Sequence, residues 1–105
     1  MDDVLRELDQ VIRSREGEKS AESYVSSLLY KGVDHILKKL GEEAAETIIA
    51  GKNENLEELV KETADLWFHS LLLLRYKGLG PEDVLNELAS RLGRSGIEEK
   101  QDRKK

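Results

Sequence analysis

The segment from Asn55 to Lys77 constrains the fold more than any other part of the chain. At helical periodicity its main apolar stripe includes Trp67, while Phe68 and Leu72 lie off that stripe. A helix that is apolar over much of its circumference is normally buried on several sides. A chain of 105 residues offers few neighbouring helices, so we predict a dimer whose interface includes Phe68 or Leu72. Burial of this helix within one chain is the alternative.

Apolar spacing and turn residues predict the other helices. A segment that starts at Asp2 or Asp3, and the segments 23–30, 33–50 and 81–92, each carry one apolar stripe and are bounded by polar loops, Gly or Pro. No window alternates as a strand does. We predict an all-α fold: a small bundle of four to five helices around a central antiparallel pair, completed by dimerisation. The whole chain, 1–105, is expected to form one domain with a charged C-terminal tail at 93–105.

Composition excludes several classes of protein. There is no cysteine, so a disulfide framework, a thiol nucleophile and Cys-ligated zinc are excluded. The net charge is −5 and basic residues do not form a broad face, so nucleic acid is not an expected partner. The longest run of large aliphatic residues is Leu71–Leu74, far short of the ~20 residues of a membrane span. We therefore expect a soluble, cytoplasmic protein without a membrane partner.

Two pairs of carboxylates lie beside the apolar helices. Glu43 and Glu46 are separated by three positions on one predicted helix, and Glu62 and Asp65 have the same spacing on the next. In an antiparallel hairpin, Glu46 and Glu62 are at similar distances from the turn, so the two pairs can face each other. Like charges at this spacing repel, and a divalent cation would offset the repulsion. A solvated acidic helix face is the alternative.

Carboxylates without His or Cys ligands favour a hard cation, Mg²⁺ or in its place Mn²⁺. A di-iron bundle would instead carry Glu-x-x-His pairs. His69 follows Asp65 by four positions and is interpreted as either an ordinary partly buried histidine or a neighbour of the site.

A magnesium site made of carboxylates often completes its ligand shell with water and substrate phosphates. Lys38 and Lys39 precede the acidic cluster by one turn. Five further bases follow or flank predicted helices, and all seven are candidate phosphate-binding residues, with an ordinary surface base as the alternative for each: Arg15, Arg75, Arg91, Arg94 and Lys100. No Gly-x-x-x-x-Gly-Lys loop or GxGxxG motif is present. The residues alone therefore indicate a helical, dimeric, Mg²⁺-dependent phosphohydrolase.

The runs KKLGEEAAETIIAG and ELVKETADLWFHSLLLL resemble the all-α, MazG-like nucleotide pyrophosphohydrolases. The signature of that superfamily is Glu-Glu-x-x-Glu, a spacer, then Glu-x-x-Asp. The runs VIRSR, SAESYVSSLLYKG and RLGRSGIEEK extend the similarity to the phosphoribosyl-ATP pyrophosphohydrolases of histidine biosynthesis.

This resemblance implies Mg²⁺-dependent hydrolysis of phosphoribosyl-ATP to phosphoribosyl-AMP and pyrophosphate, the second step of histidine biosynthesis. It assigns metal binding to Glu43, Glu46, Glu62 and Asp65, and orientation or deprotonation of the water to Glu42. Further candidate substrate-binding residues are Tyr24, Arg94 and Lys100.

Two alternatives remain: a house-cleaning pyrophosphatase for (deoxy)nucleoside triphosphates, and a non-catalytic helical dimerisation module. Functional coupling to phosphoribosyl-AMP cyclohydrolase, which uses the product, is a further hypothesis about partners.

Overall fold

The computed structural model describes residues 2–16 and 23–92. Within them the helices are α1 (Asp2–Arg15), α2 (Tyr24–Lys31), α3 (Val33–Lys52), α4 (Leu56–Tyr76) and α5 (Pro81–Ser90), and these described residues contain no strand. The predicted all-α class with five helices is confirmed. None of the described helices combines the length and the apolar character needed to cross a membrane. The tail at 93–105 lies outside the described residues.

Helices α3 and α4 form the central antiparallel pair and share the most extensive contact in the molecule. The short turn between them ends at Asn55, whose side chain accepts a hydrogen bond of 3.1 Å from the backbone N–H of Glu58 and caps α4. Glu54, in the same turn, has φ of 57°, in the left-handed region that most side chains avoid. The predicted hairpin is confirmed, and it brings the acidic segments of both helices side by side.

The connection between α2 and α3 is a single residue, Gly32. Its φ of +99° is a conformation that L side chains rarely adopt, which explains why glycine stands here. Ser23 caps the other end of α2 by accepting a hydrogen bond of 3.0 Å from the backbone N–H of Ser26. The Gly32 connection and the Ser23 cap set where α2 ends and begins. They therefore position Tyr24, in the first turn of α2, against the hairpin.

The hydrophobic core lies where α1 and α2 pack on the hairpin. Leu72 is 0% exposed, because it contacts this core rather than an outer surface. The other buried core residues are Ile12, Val25, Leu28, Ile36 and Leu71. Leu72 is therefore excluded from the predicted dimer interface, which was expected to include Phe68 or Leu72. Phe68 is half-buried and packs against the same core.

The main apolar stripe of α4 is buried toward its C-terminal end and exposed toward its N-terminal end. Leu71, four positions after Trp67 on that stripe, belongs to the core, whereas 55% of the surface of Trp67 is accessible. Other exposed apolar residues of the two central helices are Ile48, Ile49, Leu56 and Val60. Helices α1 and α2 contact α4, which carries the buried His69 and Leu72, and these contacts leave Leu56, Val60 and Trp67 exposed.

A candidate metal centre in the α3–α4 hairpin

Three carboxylates converge between the two central helices. Glu43 from α3 and Glu62 and Asp65 from α4 each place one carboxylate oxygen within 4.8 Å of the others. Glu43 is only 8% exposed, Glu62 is half-buried and Asp65 is exposed. The cluster therefore has one wall inside the protein and one side open to solvent, which is the geometry that a site for an ion and a ligand requires.

Two oxygens of this cluster have no hydrogen-bond partner. Glu43 Oε2 and Glu62 Oε2 are both inaccessible to solvent and receive no donor from the described residues. A buried polar atom without a partner costs about 1–3 kcal/mol, and more when it belongs to a charged group. Such a cost is seldom retained unless another group satisfies the atom. The two oxygens therefore indicate that something positively charged belongs between α3 and α4.

The electrostatics of the cluster also indicate a missing positive charge. The pKa of Glu62 is raised to about 8, chiefly by a hydrogen bond with the Glu46 carboxyl group, then by burial and by a hydrogen bond with Glu58. Burial, followed by the charges of Glu46 and Asp65, raises the pKa of Glu43. When these acids are ionised, their carboxylates only accept hydrogen bonds and repel one another. A proton or a cation between them would supply the missing positive charge.

The residues present fit a hard divalent cation. Carboxylate oxygens are the ligands that Mg²⁺ and Mn²⁺ prefer, and no thiolate or imidazole nitrogen competes for the ion, because both nitrogens of His69 are already hydrogen-bonded. The three carboxylate oxygens lie within 4.8 Å of one another, so only small side-chain movements would let them bind one ion.

Glu46 lies close to both Glu43 and Glu62, as the predicted facing of the two pairs requires. Sequence reasoning missed Glu58, which precedes Glu62 by one turn and hydrogen-bonds to it. The signal was the stripe formed by Glu58, Glu62 and Asp65 at positions i, i+4 and i+7. A cavity of about 420 Å³ opens beside them toward the hairpin turn, lined by Glu46, Ile49, Ala50, Asn53, Asn55, Glu58 and Glu62.

The other predicted site residues lie at different distances from the cluster. Glu42 is exposed, and its Oε2 accepts an ion-pair hydrogen bond of 3.2 Å from Nζ of Lys39, so it is near the cluster but not among the three converging carboxylates. Lys38 is exposed on α3, and Arg15 is exposed at the end of α1. Arg94 and Lys100 lie outside the described residues.

Tyr24 is brought to the same place from α2. Its hydroxyl lies 2.6 Å from Nε2 of His69, and the charges of Lys39 and Glu43 both influence it. Burial, the largest cause, raises the pKa of Tyr24, which keeps the phenol protonated. His69 is 4% exposed, and its Nδ1 lies 2.7 Å from the carbonyl oxygen of Asp65. The histidine is thus a buried, fully hydrogen-bonded residue that is also a neighbour of the site.

Comparison with known proteins shows to which family this chain belongs. The family model described as phosphoribosyl-ATP pyrophosphohydrolase matches residues 5–92. A phosphoribosyl-ATP pyrophosphatase of Geobacter metallireducens is 54% identical over 104 residues, which cover 99% of this chain and 95% of that protein.

Two further relatives with the same name are similar over nearly their full length. The protein of Methylococcus capsulatus is 53% identical over 102 residues, covering 97% of both chains. That of Geotalea daltonii is 51% identical over 102 residues, covering 97% of this chain and 96% of the relative. The family resemblance read from the Glu-Glu-x-x-Glu and Glu-x-x-Asp motifs is confirmed: this chain belongs to the phosphoribosyl-ATP pyrophosphohydrolase family.

Proposed function

We propose that this chain hydrolyses phosphoribosyl-ATP to phosphoribosyl-AMP and pyrophosphate, a step of histidine biosynthesis, and that it requires Mg²⁺, for which Mn²⁺ can substitute. Family membership supports the reaction, and the names of the relatives support the substrate. The metal requirement is supported by one observation above all: two buried, unpartnered carboxylate oxygens face the same space between α3 and α4.

Glu43, Glu62 and Asp65 would hold the cation, and Glu46, which lies beside Glu43 and Glu62, would complete the carboxylate set. When bound, the cation would neutralise charge on the phosphate oxygens, which the acidic cluster alone would repel.

The residues of the chain would do the rest. Glu42, exposed at the open side of the cluster, would orient the attacking water and accept its proton on a carboxylate oxygen. Lys39, which pairs with Glu42 at 3.2 Å, would turn toward a substrate phosphate when one arrives. Lys38, Arg15, Arg94 and Lys100 are proposed as further contacts to substrate phosphates.

The decisive experiment follows the products of phosphoribosyl-ATP by ³¹P NMR with and without Mg²⁺. We expect pyrophosphate and phosphoribosyl-AMP to form only with the metal. ATP and the deoxynucleoside triphosphates are the matched panel, and we expect them to be hydrolysed far more slowly. Equal rates on the panel would favour a house-cleaning pyrophosphatase, and no products from any substrate would contradict the proposal.

We also propose that the enzyme is a dimer that covers the exposed apolar stripe of α4, formed by Leu56, Val60 and Trp67, rather than Leu72. The support is the row of exposed apolar residues on α3 and α4, because patches of this kind mark interaction surfaces. Sedimentation at micromolar concentration tests it: we expect a species of twice 11.9 kDa. We expect Val60→Lys to shift it toward the monomer, with Lys61→Ala as the control. A wild type that sediments only as a monomer would contradict the dimer.

We propose that the protein acts in the cytoplasm with the rest of its pathway, and that it is functionally coupled to phosphoribosyl-AMP cyclohydrolase, which uses the product it would release.

A further inference from the structure

The hydrogen bonds of His69 define which atoms donate. A carbonyl oxygen only accepts, so the 2.7 Å contact to the Asp65 carbonyl makes Nδ1 of His69 the donor. A neutral imidazole that donates from Nδ1 accepts at Nε2. The 2.6 Å contact from Tyr24 is then an O–H donated by the phenol to His69. A continuous chain of hydrogen bonds therefore links Tyr24 to the backbone of a residue of the carboxylate cluster.

Ring packing holds Tyr24 in one orientation. Its ring stacks against Phe68 with centroids 6.3 Å apart and an interplanar angle of 23°. The His69 ring meets Tyr24 edge-on at 5.7 Å and Phe68 edge-on at 5.3 Å. Phe68 and His69 are neighbours on α4, whereas Tyr24 is on α2 and is 49% exposed. One side of the tyrosine ring is thus supported by α4 while the rest remains accessible beside the cluster.

An aromatic ring that is supported from behind and open in front is suited to contact a flat nucleobase or the apolar face of a ribose. Phosphates, in contrast, are recognised by cations and metal ions. We propose that His69 is a positioning residue: by tying the Tyr24 hydroxyl to the Asp65 carbonyl, it fixes the Tyr24 ring as a platform for the nucleoside part of the substrate. The identity of the substrate rests on the proposed function, but the nucleoside-binding role does not depend on turnover.

Binding of two simple probes separates a nucleoside contact from a phosphate contact. AMP carries adenine and ribose, whereas pyrophosphate carries neither. We expect His69→Asn, which preserves a donor to the Asp65 carbonyl but no longer reaches Tyr24, to weaken AMP binding roughly 3- to 10-fold in calorimetry with Mg²⁺. Tyr24→Ala should weaken it at least as much, while the Kd for pyrophosphate stays within about twofold in both variants.

Matched controls are available in the chain. His35→Asn changes the other histidine, and Tyr30→Phe removes a phenol hydroxyl from an exposed tyrosine of α2. Both should leave the Kd for AMP unchanged. The double variant Tyr24→Phe/His69→Asn should bind AMP no more weakly than His69→Asn alone, because both changes break the same hydrogen bond. Should His69→Asn fail to fold, Tyr24→Phe, which breaks the bond from its exposed side, decides the question by itself.

The tautomer gives a readout that is independent of binding. Imidazole ¹⁵N–¹H correlations should show His69 with its proton on Nδ1, and Tyr24→Phe should shift the Nε2 resonance without moving that proton. A proton on Nε2, an unchanged Kd for AMP, or an equal loss of AMP and pyrophosphate binding would overturn the inference. A wild type that binds AMP as expected but does not hydrolyse phosphoribosyl-ATP would instead refute the proposed function and leave the positioning role of His69 standing.

Discussion

The protein buries charge at two places, in opposite ways. At one end of the bundle, Asp9 of α1 and Arg75 of α4 form an ion pair of 3.3 Å that is largely removed from solvent. In the middle of the hairpin, Glu43, Glu62 and Asp65 bring carboxylate oxygens within 4.8 Å of one another. In the first arrangement the two charges cancel, although Arg75 Nε has no hydrogen-bond partner among the described residues, whereas the second groups like charges and leaves two carboxylate oxygens without a partner there.

The difference separates structure from function. The guanidinium and carboxylate of the Asp9–Arg75 pair join α1 to the end of α4, and Gly80, just before α5, lies so close that an added Cβ would come within 3.0 Å of Arg75 Nη2 and 3.6 Å of Asp9 Oδ2. Because its charges cancel, this pair needs no ligand. The acidic cluster lowers the stability of the chain that carries it, and such a cost is retained where a ligand offsets it.

The largest effect is expected from removing a carboxylate of the cluster. Glu62→Gln and Glu43→Gln should each lower kcat/KM for phosphoribosyl-ATP by about a thousandfold, because each removes a proposed metal ligand. In metal-free buffer the same variants should be as stable as the wild type or more stable, since the cost of holding an acidic group among other carboxylates is gone. Mg²⁺-dependent steady-state kinetics and thermal unfolding in EDTA measure the two effects.

Glu57→Gln is the matched control, because Glu57 is an exposed acid on α4 outside the cluster. It should change neither quantity. A marked fall of the metal-free melting temperature in Glu62→Gln would mean that the cluster is structural, and the contrast with the Asp9–Arg75 pair would then be lost.

The next effect concerns the paired site. Asp9→Ala leaves the Arg75 guanidinium buried without its counter-charge, so we expect a loss of about 3 kcal/mol in the free energy of unfolding. The control is Glu82→Gln, which breaks the exposed Arg6–Glu82 pair of the same length, 3.3 Å, and should cost less than about 0.5 kcal/mol.

The double variant Asp9→Leu/Arg75→Leu sharpens the interpretation, because it leaves no unpaired charge and should be more stable than Asp9→Ala. Urea unfolding in the presence of Mg²⁺ measures all three variants. Equal losses for Asp9→Ala and Glu82→Gln would show that the Asp9–Arg75 pair is hydrated in solution.

The carboxylate cluster and the hairpin that carries it could be predicted from the sequence, whereas the orientation of α4 and the contact between Tyr24 and His69 depend on packing. The paired carboxylates were found because Glu-x-x-Glu and Glu-x-x-Asp spacings place side chains on one helix face, and the turn residues between them predicted the hairpin. The buried face of α4 was predicted only in part: Leu71 of the main stripe is buried, but so is Leu72 from off that stripe. Apolar residues surround this helix, and periodicity cannot choose between its sides. The contact of Tyr24 with His69 joins residues 45 positions apart, which no local spacing encodes.

The pH dependence of stability in the unmutated protein distinguishes the two sites. Glu62 keeps its proton up to about pH 8 in the folded metal-free protein but releases it near pH 4.5 when unfolded. Between these values the folded state holds more protons, so stability must fall as pH rises from about 4.5 to about 8. Thermal unfolding in EDTA should show this fall, and saturating Mg²⁺ should reduce it.

The control for this experiment is Glu62→Gln, in which the fall should be markedly smaller because the titrating group is absent. An unchanged slope in that variant would assign the pH dependence to other groups and remove the electrostatic argument for a strained cluster.

The smallest effect tests whether the hairpin turn or the helix packing holds the two carboxylate pairs together. Glu54 has φ of 57°, which costs a non-glycine residue about 1 kcal/mol, whereas glycine adopts it freely but loses more entropy on folding. Glu54→Gly should therefore stabilise the protein by about 0.5 kcal/mol in urea unfolding. Glu57→Gly, inside the first turn of α4, is the control and should destabilise it by about 1 kcal/mol.

The same Glu54→Gly variant tests what positions the cluster. If packing between α3 and α4 does so, the substitution will leave the affinity for Mg²⁺ in calorimetry unchanged. A change in that affinity would mean that the strained turn takes part in holding Glu46 and Glu62 face to face.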